Sequence, residues 1–244
     1  GSVRLSFTGE ASGASFDSTK FLRNHAFLDG GAIFSSYIPG TDRCNRYLNF
    51  TGNNSFVSNA ANSSGGAVFI QINDPTKRTN GLTFIPECYR GRTFYSGNAA
   101  NVGNDLATSK YKLAFYAPDF PDRIALNKEI EGGLMVQDAY GQPCFNAYQS
   151  YPPIHLTVNN SKAEFMAVSK LTFPVGSNGI ASIHFGNDLR LKRVPTSLVG
   201  QRLWFTFSSD GIFSAQTTAV ITGCDLGEQM KMVENENLFE CPYC

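Results

Sequence analysis

The chain has 244 residues with 20 basic and 20 acidic side chains, so its formal net charge is zero and electrostatics offer no case for nucleic acid or an anionic membrane. Hydrophobic residues make up 42% and charged residues only 16%, a balance that supports a sizeable core and favours β-architecture over helix bundles rich in Glu, Lys and Arg. No run of 18 apolar residues is present, so no membrane insertion by a helix is expected.

In chain order, the first 110 residues carry one phrase three times. Phe21-Leu-Arg-Asn24-His-Ala26 leads to Gly30-Gly31-Ala32-Ile33-Phe34, and Phe56-Val-Ser-Asn59-Ala-Ala61 leads to Gly65-Gly66-Ala67-Val68-Phe69. The third copy is Phe94-Tyr-Ser-Gly-Asn98-Ala99-Ala100, then Gly103-Asn104-Asp105-Leu106. The asparagines step by 35 and then 39 residues, a period that means stacked units, each too small to bury a core alone. Extended apolar stretches at Val3–Phe7, Tyr47–Phe50 and Leu82–Ile85 precede the copies, and Gly-Gly pairs interrupt any helical stripe. A solenoid of short parallel strands is therefore expected over residues 1–115. In it the Phe side chains stack between rungs, the Asn residues take positive φ at a corner and bond to their copies, and the Gly pair makes a sharp bend.

These residues resemble the repeat of chlamydial polymorphic outer-membrane proteins, Phe-x-x-Asn-x-Ala followed by Gly-Gly-Ala-Ile/Val. The resemblance covers about residues 1–110. It implies a right-handed parallel β-helix on a secreted or surface-displayed protein, often an adhesin. The third copy departs from it, as terminal repeats often do, and is expected to be the last rung.

Two excursions, Ser35–Arg46 and Asn73–Gly81, interrupt the period and carry the turn signals Pro39-Gly40 and Asp74-Pro75. Cys44 and Cys88, 44 residues apart, are expected to pair and tie one excursion to the next, a cross-link worth about 4 kcal/mol in the chain-entropy account. A proline-marked linker follows at residues 116–123.

From 124 to 223, strands recur every 8–12 residues. They are expected at Leu134–Asp138, Ile154–Thr157, Ala163–Val168, Leu171–Phe173, Ile180–Phe185, Leu189–Val194, Arg202–Ser208 and Ser214–Thr222. Turns are expected at Ala139–Gln142, Ser177–Gly179, Gly186–Asp188 and Ser208–Gly211, the pattern of a β-sandwich. Val136-Gln-Asp138-x-x-Gly141-Gln142 with the later Gly179-Ile-Ala-Ser-Ile183 resembles an invasin-type or immunoglobulin-like module. Cys224-Asp-Leu-Gly227-Glu228 with Cys241-Pro-Tyr-Cys244 resembles the opening of an ephrin-receptor-like Cys-rich repeat, placed at residues 224–244. That resemblance implies a Cys224–Cys241 bridge, and an inter-sheet Cys144–Cys224 bridge is the competing arrangement. The expected architecture is all-β: a short right-handed parallel β-helix, then an Ig-like β-sandwich.

The six cysteines, Cys44, Cys88, Cys144, Cys224, Cys241 and Cys244, come with four sequons, at Asn49, Asn53, Asn62 and Asn159, and no metal-ligand spacing. Together they favour an oxidising, extracellular setting with disulfides and glycosylation. The leading Gly1-Ser2 and the terminal Cys-x-x-Cys suggest a piece of a larger surface protein.

No catalytic or cofactor motif is found, and the three histidines, His25, His155 and His184, read as structural or surface residues. The enzyme alternative is a β-helix carbohydrate lyase or hydrolase, which needs carboxylates gathered on one face. The acids of the rungs, Asp17, Asp29, Asp42, Asp74, Glu87 and Asp105, do not recur at equivalent positions, although Asp29 and Asp105 lie near matching corners. Basic residues Arg90 and Arg92, with Lys77, Arg78, Lys110 and Lys112, are candidates for an acidic-glycan contact, as is the run Arg190–Arg193. Tyr111, Tyr116 and Tyr148, with Phe115 and Tyr151, cluster at the junction and are candidates for packing it or for a partner surface. The expected function is non-enzymatic adhesion or recognition of a cell-surface protein or glycan, with a structural spacer as the alternative.

Overall fold

The computed structural model describes residues 2–6, 13–37, 48–72, 93–116, 119–126, 128–144, 154–159, 164–167, 182–224, 231–233 and 238–240. Among them are strands, one 3-10 turn at Thr196–Leu198 and no α-helix, so the described chain is nearly all β. The excursion residues 38–47 and 73–92, the strand expected at Leu171–Phe173 and the turn at Ser177–Gly179 lie outside the described residues.

The first half repeats one strand order. Strand β1 (Val3–Ser6) is followed by β2 (Ala14–Asp17), β3 (Lys20–Leu22), β4 (His25–Ala26) and β5 (Ile33–Tyr37). Then come β6 (Leu48–Thr51), β7 (Ser55–Val57), β8 (Ala60–Ala61) and β9 (Val68–Ile72), and a shorter third pass with β10 (Phe94–Ser96) and β11 (Leu106–Thr108). Strands β1, β5, β9 and β11 form one sheet in that order, β3, β7 and β10 a second, and β2–β6 and β4–β8 two pairs. Every one of these pairings is parallel. Each copy of the phrase thus lies directly beside the previous one.

Three side-chain ladders explain the repeat. The Phe21 and Phe56 rings stack at 4.6 Å with an interplanar angle of 5°, and Phe56 stacks on Tyr95 at 5.3 Å and 14°. The register pairs Tyr95 with Phe56, so Tyr95 and not Phe94 is the third copy of this position, and Phe94 is 61% exposed. Tyr95 stands three residues before Asn98, the same spacing as Phe21 to Asn24 and Phe56 to Asn59.

In the second ladder the Oδ1 of Asn59 accepts from both the backbone N–H and the Nδ2 of Asn24, at 3.0 and 2.9 Å. The Oδ1 of Asn98 accepts the same two bonds from Asn59, at 2.9 and 3.0 Å. Asn59 and Asn98 donate onward to the carbonyls of Phe21 and Phe56. The left-handed backbone is not at the asparagines, as expected, but one residue earlier, at Arg23 (φ 50°), Ser58 (φ 54°) and Gly97 (φ 61°). The corner turns there, which leaves each asparagine side chain aimed inward to replace backbone partners that the bend removes.

The third ladder is glycine. A Cβ on Gly31 would collide with the carbonyls of Gly66 and Ala60, and one on Gly66 with those of Asn104 and Ala99. Each rung therefore needs glycine because the next rung's backbone lies against it. At the equivalent place in the third copy stands Asn104, exposed, with no further rung of the phrase to meet. This is the physical reason for the atypical third copy.

The stack ends on a side-chain cap. Asp138 Oδ2 accepts from the Thr108 N–H at 3.0 Å, and Gln142 Nε2 donates to the Leu106 carbonyl at 2.8 Å. These two side chains satisfy the free edge of β11, where a fifth strand of the sheet would bond. Asp138 Oδ1 also accepts from the N–H groups of Tyr140 and Gln142, which shapes the turn, and Gly141 takes φ 81°.

The second half starts earlier than the sequence suggests. Strand β12 (Lys112–Tyr116), read as the end of the repeats, lies between later strands. It is followed by β13 (Arg123–Ala125), β14 (Glu129–Gln137), β15 (His155–Val158), β16 (Glu164–Ala167), β17 (Ser182–Pro195), β18 (Arg202–Ser209), β19 (Ile212–Thr222), β20 (Lys231–Val233) and β21 (Leu238–Glu240). The order is β15-β18-β19-β12-β14-β17-β21-β20, with β13 on β19 and β16 on β17. The expected linker is partly structural: Phe120 is buried among Phe115, Phe205 and Phe207, and β13 pairs with β19.

These ten strands form one continuous sheet that curls about a core of residues such as Leu134, Phe185, Leu191, Phe205 and Ile221. The expected turn at Gly186–Asp188 is not a turn. It lies within β17, where the pairing with β14 slips between Glu129 and Ile130 and again before Gly133. A bulge absorbs the Gly-Asn-Asp signal and bends a long strand, and long bent strands let one sheet wrap a core. The turn expected at Ser208–Gly211 is present, with Ser209 opposite Ile212. Strands β20 and β21, within the segment expected to open a Cys-rich module, extend the same sheet through β17.

Cys144 is a free, buried thiol, so the Cys144–Cys224 bridge is not formed. It packs within the core cluster of the curled sheet. Cys224 is disulfide-bonded, and Cys44, Cys88, Cys241 and Cys244 lie outside the described residues.

Candidate functional site

The second face of the β1–β5–β9–β11 sheet carries one row in register: Arg4, exposed, Phe34, half-buried, and Phe69 and Ala107, buried. Side chains two apart on a strand share a face, so this row points away from the core formed by Ile33, Val68 and Leu106. Phe34 and Phe69 stack at 5.6 Å, and the Arg4 guanidinium lies 5.2 Å above the Phe34 ring. Among the described residues Arg4 forms no ion pair or side-chain hydrogen bond.

Beside this row runs the corner Phe27-Leu28-Asp29-Gly30. Together they enclose an open cleft of about 480 Å³, lined also by Gln71 and Ser109, within the size range of small-ligand sites. Phe27 is 74% exposed and Leu28 44%. The second rung has Asn62 and Ser63 at these two places. The second copy is polar at this corner, so the stack does not require apolar residues there.

Asp29 lies between the cleft and the next rung. Its Oδ1 accepts from the Ser64 N–H at 3.1 Å. Burial raises its pKa above the ordinary carboxylate value, and the hydrogen bonds from Ser63 and Ser64 offset part of that. Asp138 is raised for the same first reason, against four opposing hydrogen bonds. Both acids border a small cavity of about 20 Å³ that also touches Cys144, whose thiol burial pushes up. That cavity is too small for an organic ligand.

The remaining sequence candidates separate. Tyr111 packs edge-on against Phe213 at 5.0 Å and also against the core of the repeat half, so it bridges the two halves. The Tyr116 ring lies over Gly133, where a Cβ would meet it. Neither lines the cleft. Arg90, Arg92 and Tyr148 lie outside the described residues. Arg190 pairs with Glu129 at 3.0 Å. Of the sequons, Asn53, Asn62 and Asn159 are exposed and Asn49 is half-buried. His25 and His155 are exposed on β4 and β15.

The acids of the rungs stay apart in role: Asp17 accepts from Thr51, and Asp105 accepts from Asn98 at 2.9 Å and so ends the asparagine ladder. Among the described residues no group of three His, Cys, Asp or Glu converges as a metal site would require. Sequence reasoning missed Arg4, Phe27 and Leu28. Their signal was present in the repeat itself, because aligning the copies sets Phe27-Leu28 against Asn62-Ser63. No family model matches the chain, and no curated protein or solved structure matches it.

Proposed function

We propose that this chain is a non-enzymatic recognition module of a larger extracellular surface protein, in which the repeat half is a right-handed parallel β-helix of the polymorphic outer-membrane type and the second half an Ig-like β-domain. The observation that carries the reading is the first-rung corner, where Phe27 and Leu28 stand exposed beside the Arg4–Phe34 row at positions where the second copy has Asn62 and Ser63. Exposed aromatic and arginine side chains gathered at a cleft are the residue types that dominate binding hot spots. The phrase residues Phe, Asn and Gly are accounted for by stacking, so the departures from the phrase are where selection for a partner would act.

The sequons and the bonded Cys224 support an oxidising compartment for this module. The test is a screen of the chain against glycans and against cell-surface proteins, run beside the double variant Phe27→Asn, Leu28→Ser. That variant gives rung one the residues of rung two and leaves the ladders intact. Binding that the variant loses supports the reading. Silence across both screens overturns it in favour of a structural spacer, and turnover of a polysaccharide overturns it in favour of an enzyme.

A further inference from the structure

The three ladders of the stack end around one cavity. Tyr95 is the third ring, stacked on Phe56 at 5.3 Å. Asp105 ends the asparagine ladder, and Asn104 stands where the glycine ladder stops. With Leu106 and Gln142, these residues line an open cavity of about 300 Å³, at the lower end of the small-ligand range. Four of the five belong to the third rung, and Gln142 reaches in from the turn after β14. The fold itself makes this end of the stack. Strand β12 leaves the rungs to pair with β14 and β19, and the cap holds Gln142 on the Leu106 carbonyl.

Each polar side chain here has one part held and one part unused. Asp105 Oδ1 accepts from Asn98 Nδ2 at 2.9 Å, and its Oδ2 forms no hydrogen bond among the described residues. Gln142 Nε2 donates to the Leu106 carbonyl and to Asp138 Oδ2, at 2.8 and 3.0 Å, and its Oε1 accepts from no described residue. Asn104 Oδ1 accepts from the Ala100 N–H at 3.1 Å, and its Nδ2 donates to no described residue. The held atoms orient the unused ones, so less side-chain freedom remains to be lost when a ligand binds.

We propose that this cavity binds one unit of a neutral saccharide. The site goes beyond the recognition reading, which rests on a different surface, the Phe27–Leu28 corner. A sugar hydroxyl both donates and accepts, so neighbouring hydroxyls serve Asp105 Oδ2 and Gln142 Oε1 as donors and Asn104 Nδ2 as acceptors. The apolar C–H face of the sugar ring packs on Tyr95 and Leu106. Asp105 is an acid, and no described lining residue is basic, so an acidic sugar is disfavoured. An amine satisfies the two acceptors but leaves the Asn104 amide without one.

The test titrates the whole chain with glucose, galactose, mannose, N-acetylglucosamine, glucuronic acid and butylamine, read by ligand NMR. The expected result is binding of at least one neutral sugar, with glucuronic acid and butylamine weaker. Asp105→Asn keeps an acceptor for Asn98 and removes the charge. It is expected to weaken the bound sugar about ten-fold or more, as loss of a hydrogen bond to a charged group does. Asn104→Ala is expected to weaken it about five-fold. Melting curves establish that the variants fold. Should Asp105→Asn fail to fold, Asn104→Asp carries the test. It keeps the Ala100 bond and exchanges a donor for an acceptor, so its loss is expected to be at least that of Asn104→Ala. A neutral sugar bound equally by wild type and by the Asn104 variants overturns the site. If the Phe27→Asn, Leu28→Ser variant loses that sugar instead, the recognition reading stands. Binding of no sugar, tighter binding of glucuronic acid than of any neutral sugar, or binding of butylamine alone also overturns the site, and the cell-surface protein screen then decides the recognition reading.

Discussion

The two halves of the chain bury apolar surface in opposite ways. In the rungs, each position meets its own copy one strand away, so one residue type is demanded again and again: ring on ring, asparagine on asparagine, glycine under carbonyl. In the curled sheet, each strand meets different neighbours, and the demand is only that alternate residues be apolar. Strand β18 shows this, with Leu203, Phe205 and Phe207 buried and Trp204 55% exposed. A stack therefore writes its constraints as repeated letters, and a sheet writes them as a period of two. Departures are informative in the stack, where Asn104 marks its end and Phe27-Leu28 stands where the second copy has Asn62-Ser63, and nearly silent in the sheet.

The sharpest break of this comparison is Asn59→Ala. Asn59 is fully buried and bonds both neighbouring rungs, so its loss strands several buried groups at once and is expected to cost on the order of 4 kcal/mol. Urea unfolding measures it, and a cost below about 1 kcal/mol would show that the ladder follows the fold rather than holding it.

Next is a paired test of glycine. Gly66→Ala drives a methyl into the Asn104 and Ala99 carbonyls and is expected to cost about 3 kcal/mol. Asn104→Ala, one rung on, loses only the exposed bond that its Oδ1 accepts from the Ala100 N–H at 3.1 Å and is expected to cost no more than about 1 kcal/mol. Equal costs at the two positions would contradict the account of why the third copy departs.

A smaller effect is expected where the halves meet. Gln142→Ala removes the donor to the Leu106 carbonyl and is expected to cost about 1 kcal/mol. Hydrogen exchange of the Thr108 amide, bonded to Asp138, is expected to speed up with it, and unchanged exchange would mean that the cap is not a unit.

The smallest effect is a pH slope. The folded pKa of Asp29 is raised above its unfolded value, so its contribution to stability is fully present below the ordinary value near 3.8 and is lost as pH rises through the folded pKa. Asp29→Asn keeps an acceptor for the Ser64 N–H and removes the titration. The difference in unfolding free energy between wild type and variant is thus expected to move against wild type as pH rises from about 4 toward neutrality. A difference independent of pH would show that Asp29 does not carry the slope.

Much of the stack was legible because its physics is periodic. Residues Phe21, Phe56, Asn24, Asn59, Asn98 and the Gly pairs could be placed by counting. The errors were errors of phase: Phe94 for Tyr95, and the asparagine for the residue before it as the left-handed corner. The second aromatic, Phe94, beside Tyr95 hides phase from a pattern but not from the strand register. The sheet was legible as strands and not as an assembly. Residues Gly186-Asn187-Asp188 carry turn chemistry, and pairing with β14 holds them in a strand as a bulge. Cys144 looked like half of a bridge, yet its place in the core leaves it a buried thiol. For the site, the sequence held the anomaly at Phe27-Leu28 but not the fact that Arg4, over twenty residues earlier, lies at the same cleft.

The sequence by itself determined that the described chain is nearly all β, that its first half is built of stacked copies, and which residues each copy must keep, because contacts between copies repeat locally in the letters. Only the tertiary structure decided that Asp138 and Gln142 close the stack on the backbone of Thr108 and Leu106, and that β12 pairs with β14 and β19. Those features join residues far apart in the chain through backbone groups, and backbone groups are the same at every position and leave no mark in a sequence.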